Sequence, residues 1–112
     1  KVEGIVRDGK VLLGKEEADS LIRVENVADG TKVYLSFRAE SVILDHESPL
    51  KAKVVLTSVM GKEIITSFVL GDKEVRGYMN SDVELKRDEE IGIRFKKNGV
   101  FVFDQESGER YL

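Results

Sequence analysis

The 112 residues contain no cysteine, which excludes disulfides and thiolate metal sites and suits a reducing compartment. Histidine occurs once, as His46, beside Glu47 and close to Pro49, the only proline. With no second histidine and no thiolate to join it, zinc is excluded, and His46 reads as an exposed loop position. No apolar run approaches the length of a membrane span, and the opening KVEGIVRDGK lacks the apolar core of a signal peptide. Neither sign of charge dominates: 18 basic and 21 acidic residues are interspersed along the chain, for a net charge of −3. Such interspersion forms no basic stripe, so neither nucleic acid nor an acidic membrane surface is an expected partner. Amides are scarce, limited to Asn26, Asn80, Asn98 and Gln105. Many charges with few thermolabile side chains is a composition found in heat-adapted proteins, and equally in an ordinary domain with a charged surface. The first residue is lysine, not methionine, which leads us to expect a segment of a longer chain.

What the chain does have is period-two alternation of apolar and polar residues. VEGIV (2–6) and KVLLG (10–14) flank Asp8-Gly9, the signal for a type I′ hairpin, whose central residues both need positive φ. SLIRV (20–24) follows, then a loop through Asp29-Gly30 and the run KVYLSF (32–37). There Val33, Leu35 and Phe37 face one side, and Tyr34, Ser36 and Arg38 the other. SVILD (41–45) comes after a break at Arg38-Ala39-Glu40, and His46 to Pro49 link a first half of about 1–47 to a second of about 49–112 within one domain. KAKVVLTSV (51–59) and EIITSFVL (63–70) are joined through Met60-Gly61-Lys62, and Gly71-Asp72 supplies a tight turn before KEVRGYM (73–79). NSDVELKRDEE (80–90) crosses to IGIRF (91–95), Asn98-Gly99 reads as the turn of a last hairpin with VFVF (100–103), and DQESGERYL (104–112) closes the chain with a Ser-Gly turn. Gly9, Gly71 and Gly99 are all expected at positive φ. Roughly ten short strands with regularly spaced turns predict an all-β barrel or sandwich, with a short helix over 13–22 as the alternative for that segment.

Chemistry is mostly missing. The patterns GxSxG, GxxxxGK[ST] and GxGxxG do not occur. Carboxylate clusters such as Glu16-Glu17 and Asp88-Glu89-Glu90 fall at strand ends and loops and single out no acid–base pair. Tyr34, Phe95, Phe101 and Phe103 have the residue types of a stacking platform for single strands, but they alternate with aliphatics and the bases are matched by acids. Core packing is therefore expected of them. No catalytic residue, metal ligand or cofactor site emerges. The break at Arg38-Ala39-Glu40 stays open among a catalytic pair, a salt-bridged corner and an ordinary turn.

Four pieces of the chain, in order, resemble the C-terminal TOBE (transport-associated oligonucleotide-binding-like) region of ATP-binding subunits of ABC importers, in the maltose and sugar-uptake branch. Glu3-Gly4 and Val6, with Val11, Leu13 and Gly14, match the first element; Gly30, Val33, Arg38 and Glu40 the second; Val54, Gly61 and Glu63 the third; Phe103, Asp104, Gly108 and Arg110 the last. The resemblance spans essentially the whole chain. Ala39 departs from it, standing where the family usually has proline, as does Asp88, standing where glycine is common. The ATPase domain itself is absent, with no Walker motif in these residues. The resemblance implies an OB-like small barrel with an additional β-sheet that does no chemistry. It also implies packing against the parent's own ATPase domain, which would hold ATP and Mg²⁺, and a homodimer through the parent. Contact with the importer's membrane subunits would be indirect, at the cytoplasmic face of the membrane and without insertion. Arg38, Glu40, Gly61, Glu63, Phe103, Asp104, Gly108 and Arg110 become the corner or interface candidates, with Arg38 and Glu40 expected as a hydrogen-bonded charged pair in a partly buried bend. The oxyanion loop of the molybdate branch has no counterpart in DHESPLKAK (45–53). Two other readings remain: a stand-alone barrel binding a sugar or an oxyanion, and an OB-type nucleic-acid binder.

Overall fold

The computed structural model describes residues 1–60, 63–78 and 85–112, and among these every regular element is a strand or a 3₁₀ turn. The ten strands are β1 (Val2–Arg7), β2 (Lys10–Leu13), β3 (Ala18–Arg23), β4 (Lys32–Phe37), β5 (Val42–Leu44), β6 (Lys51–Met60), β7 (Glu63–Leu70), β8 (Lys73–Tyr78), β9 (Glu90–Phe95) and β10 (Val100–Asp104). They form two antiparallel five-stranded sheets, ordered β10-β4-β1-β2-β3 and β5-β9-β6-β7-β8. The sheets curl toward one another, so the chain is an all-β fold of the small OB-like kind.

Two of the turns follow directly from residue type. Asp8 and Gly9 take φ of 52° and 75°, and Gly71 and Asp72 take 55° and 69°. Both central residues of each turn are thus left-handed, as a two-residue turn between twisted strands requires. The helical alternative for 13–22 is not what forms. Gly14 and Glu17 sit at φ of 71° and 52°, and the chain is back in a strand from Ala18.

Asn98-Gly99 behaves differently from expectation. Residues Lys97–Gly99 make a 3₁₀ turn, and Gly99 is not among the residues at positive φ. Nor do the flanking strands pair: β9 lies in the second sheet, and β10 is paired with β4 in the first. The turn therefore carries the chain from one sheet to the other. Gly99 is needed there for space, because a Cβ on it would fall on the Ser41 side chain. Exchange runs the other way too, since β5, from the N-terminal half, completes the second sheet beside β9.

Between the sheets lies a single core. Val2, Val6, Val11, Leu13, Val33, Leu35 and Val102 point into it from the first sheet, and Val54, Phe68, Leu70 and Ile93 from the second, all essentially without exposure. Of the four aromatics expected inside, only Phe95 is buried, with the Phe37 ring centroid 4.9 Å from its own. Tyr34, Phe101 and Phe103 are half-buried on the outer face of the first sheet. Strand parity is the reason: β10 turns Val100 and Val102 inward, so its phenylalanines face out, beside Ser36 and Tyr34 of β4.

Buried Ser20 and Ser48 donate their hydroxyls to backbone carbonyls, but among the described residues two threonines do not find partners. Thr57 and Thr66 are directly opposed across β6 and β7. Both Oγ1 atoms are buried without a hydrogen-bond partner among the described residues. Removing a buried, unsatisfied hydroxyl while keeping its shape relieves a desolvation cost. The double variant Thr57→Val, Thr66→Val is therefore expected to gain about 1 kcal/mol or more, read as a higher thermal midpoint. A lower midpoint would show that these hydroxyls are satisfied in solution.

Candidate functional site

The break after β4 is a 3₁₀ turn over Ala39–Ser41 with Arg38, in extended conformation, at its N-terminal edge. Backbone bonds hold it at both ends: Arg38 N–H donates to Gly99 O at 3.0 Å, and Lys96 N–H donates to Ser41 O at 2.8 Å. Ser41, buried against Gly99, locks this turn to the 3₁₀ turn before β10. Arg38 and Glu40 are both exposed and, among the described residues, form no ion pair, so the charged pair expected in a partly buried bend is not what holds the corner. Backbone hydrogen bonds and Ser41 suffice, and they do so with alanine at position 39.

Arg38 is drawn elsewhere. Its guanidinium carbon lies 5.8 Å from the centre of the Phe101 ring, and that of Arg110 lies 4.9 Å from the same centre. Two candidates, from the second and the last elements of the resemblance, thus converge on one aromatic ring. Cation–π contacts of this exposed kind contribute about 0.5–1 kcal/mol each.

Arg110 is brought there by the closing loop. Asp104 Oδ1 accepts the N–H groups of Glu106 (2.8 Å) and Ser107 (2.9 Å), and its Oδ2 accepts the Tyr111 hydroxyl at 2.7 Å. Gly108, at φ of 75°, reverses the chain so that Arg110 bridges back to Phe103. Tyr111 N–H then donates to Val102 O at 2.8 Å, and Val102 N–H to Leu112 O at 3.0 Å, which covers the outer edge of β10. Phe103, Asp104, Gly108 and Arg110 therefore act together as a loop that seals an edge strand. Gly61 lies outside the described residues, and Glu63 enters the fold as the first residue of β7. His46 is exposed in a turn.

The hydrogen bonds at Asp104 work on both partners. The Ser107 amide, with the Tyr111 hydroxyl and the Glu106 amide, holds the Asp104 carboxyl below the usual aspartate range. The same contact with Asp104 pushes the Tyr111 hydroxyl up to about 12. For a tyrosine raised above its unfolded value, the stabilisation is complete below pH ~10 and is lost as the pH rises through its folded value. In an ultraviolet titration of the three tyrosines, one is expected to ionise near pH 12, and Tyr111→Phe is expected to remove that step. Three ordinary titrations in the parent protein would contradict the bond.

A second feature has no counterpart in any sequence motif. A cleft of about 990 Å³ opens beside the outer face of β1 and β4. Glu3 pairs with Tyr34 and Ile5 with Lys32 across these strands, which puts Glu3, Lys32 and Tyr34 in the cleft lining. The β7–β8 turn adds Gly71, Asp72 and Lys73. It is docked there by Lys15 N–H donating to Asp72 Oδ2 at 2.7 Å and by the close approach of Gly14 and Gly71, where a Cβ on Gly14 would stand 2.7 Å from Gly71 Cα. Lys1 completes the group with its ammonium 5.3 Å from the Tyr34 ring centre. Among the described residues no group of three or more histidine, cysteine or carboxylate side chains is placed to hold a metal ion, and no helix is long and apolar enough to cross a membrane.

No protein-family model matches the chain, and no characterised protein matches it in sequence.

Proposed function

We propose that this chain is the accessory, regulatory domain of the ATP-binding subunit of an ABC importer, of the sugar-uptake kind, and that it does no chemistry itself. The observation that carries the reading is the convergence of Arg38 and Arg110 on Phe101. Two sequence elements far apart in the resemblance, each weak alone, become one built surface at the corner between the sheets. The all-β, OB-like architecture agrees with it. In this reading the parent's ATPase domain binds ATP and Mg²⁺, and the outer face around Phe101 rests on that domain or on the twin subunit of a homodimer. The assembly sits at the cytoplasmic side of the membrane through the transporter's membrane subunits.

The test is the full-length gene product. A Walker A, signature and Walker B set encoded directly before Lys1, with ATP hydrolysis and a dimeric mass in light scattering, is the expected result. A gene whose product carries no ATPase domain would sink the proposal.

A further inference from the structure

The cleft beside β1 and β4 has a lining that the corner and its loop do not explain. Four lysines, Lys1, Lys15, Lys32 and Lys73, border it in a chain whose overall charge is negative. Among the described residues none of the four forms an ion pair with a carboxylate. Four lysines against three carboxylates leave the lining net positive, and a cleft focuses that potential on whatever small anion enters. Lysine suits phosphate in such a place, as a compact point charge with three donors.

A bare anion would nonetheless be a poor match. Glu3, Glu17 and Asp72 share the lining and would repel it. Glu17 is engaged by Arg7, and one oxygen of Asp72 takes the Lys15 amide, whereas Glu3 is exposed and holds no ion-pair partner among the described residues. Carboxylates acting only as acceptors call for donors on the ligand, and hydroxyl groups supply them. The half-buried Tyr34 ring offers a flat apolar surface beside the charges, and such a ring packs against the face of another ring. The volume, about 990 Å³, leaves room for a small molecule well beyond phosphate itself.

We infer that this cleft binds a phosphate ester of a hydroxyl-bearing ring, with the lysines on the phosphate, the carboxylates on the hydroxyls and Tyr34 against the ring. Sugar phosphates and nucleoside monophosphates share that chemistry. The site lies on the β1–β4 face and the β7–β8 turn, and the inference does not depend on the importer reading.

Calorimetric titration of the 112-residue protein with glucose 6-phosphate, AMP, glucose and inorganic phosphate tests it. At least one ester is expected to bind about ten-fold or more tightly than glucose and phosphate do separately. The double variant Lys32→Ala, Lys73→Ala is expected to lose at least about ten-fold in affinity while its ligand-free thermal midpoint stays within a few degrees of the parent, because both side chains are exposed. Which ester binds more tightly identifies the ligand class as sugar or nucleotide. If no ester binds, if phosphate alone binds as well as the esters, or if the double variant binds unchanged, the inference is overturned. None of these outcomes depends on an ATPase domain, so the importer reading stands or falls separately.

Discussion

Gly99→Ala is expected to destabilise the protein by about 3 kcal/mol, at the upper end of the range for an overpacked site. The added Cβ would meet Ser41 Oγ head-on and come within 2.6 Å of Ser41 Cβ. Neither side can yield cheaply. Ser41 sits in the 3₁₀ turn after β4, and its carbonyl accepts the Lys96 amide. Gly99 closes the turn before β10, with its own carbonyl bound to Arg38 N–H. Because the obstruction is one side chain, it can be relieved: Ser41→Gly should recover much of the loss in the double variant. In urea titrations of parent, both single variants and the pair, a coupling of about 1–3 kcal/mol between the sites is expected. An unshifted midpoint for Gly99→Ala would show that the two turns do not pack as described. Gly92→Ala makes an instructive contrast, since there the new Cβ would collide with the backbone oxygen of Asp45. No substitution at position 45 can remove that atom.

The second large effect is expected at Phe68. It is the bulkiest fully buried side chain of the core. It stands on β7 opposite Val54 on one side and Val75 on the other. Glycine at 77 is what lets the neighbouring strand lie over the ring, since a Cβ there would be 3.2 Å from Phe68 Cε1. Truncation to alanine removes the ring and leaves a cavity walled by β-branched residues, which relax little. The expected cost is about 4 kcal/mol, a large part of the roughly 5–15 kcal/mol that domains of this size possess. Thermal unfolding should show a deep fall in midpoint or no cooperative transition at all. Leucine at 68 should retain the fold at a smaller cost. A loss below about 1 kcal/mol for Phe68→Ala would mean that the centre of β7 is not where the two sheets meet.

Strands and turns were legible in the sequence wherever the deciding interaction is local. Asp8-Gly9 and Gly71-Asp72 announce themselves because a left-handed pair has a residue signature. KVYLSF and EIITSFVL form strands with the bounds that their alternation sets. What escaped was governed by partners distant in sequence. Asn98-Gly99 has the residues of a hairpin turn, yet the glycine answers to Ser41, and nothing near position 98 says so. The outward rings of Phe101 and Phe103 follow from which face of β10 meets the core, and that depends on pairing with β4. At the Arg38-Glu40 break, the corner was readable and the pairing of its charges was not, because the arginine's partner is an aromatic ring near the other end of the chain. The cleft lysines come from four separate stretches of the chain, each a single lysine with no basic neighbour beside it in sequence. Their grouping exists only in space.

The exchange of β5 and β10 between the sheets has a consequence in time. The free edge of β4 is paired only when Val100 reaches Phe37, and β5 finds its partner only in β9. A chain emerging from the ribosome with its N-terminus first therefore carries most of the first sheet for many residues with a row of unmatched amides and carbonyls exposed. Neither sheet can close before the other is nearly complete, so assembly is late and all at once. Folding in milliseconds to seconds, the slow regime of β-proteins with distant pairings, follows from this. So does a window during synthesis in which two nascent chains can join through the strand that each has left uncovered.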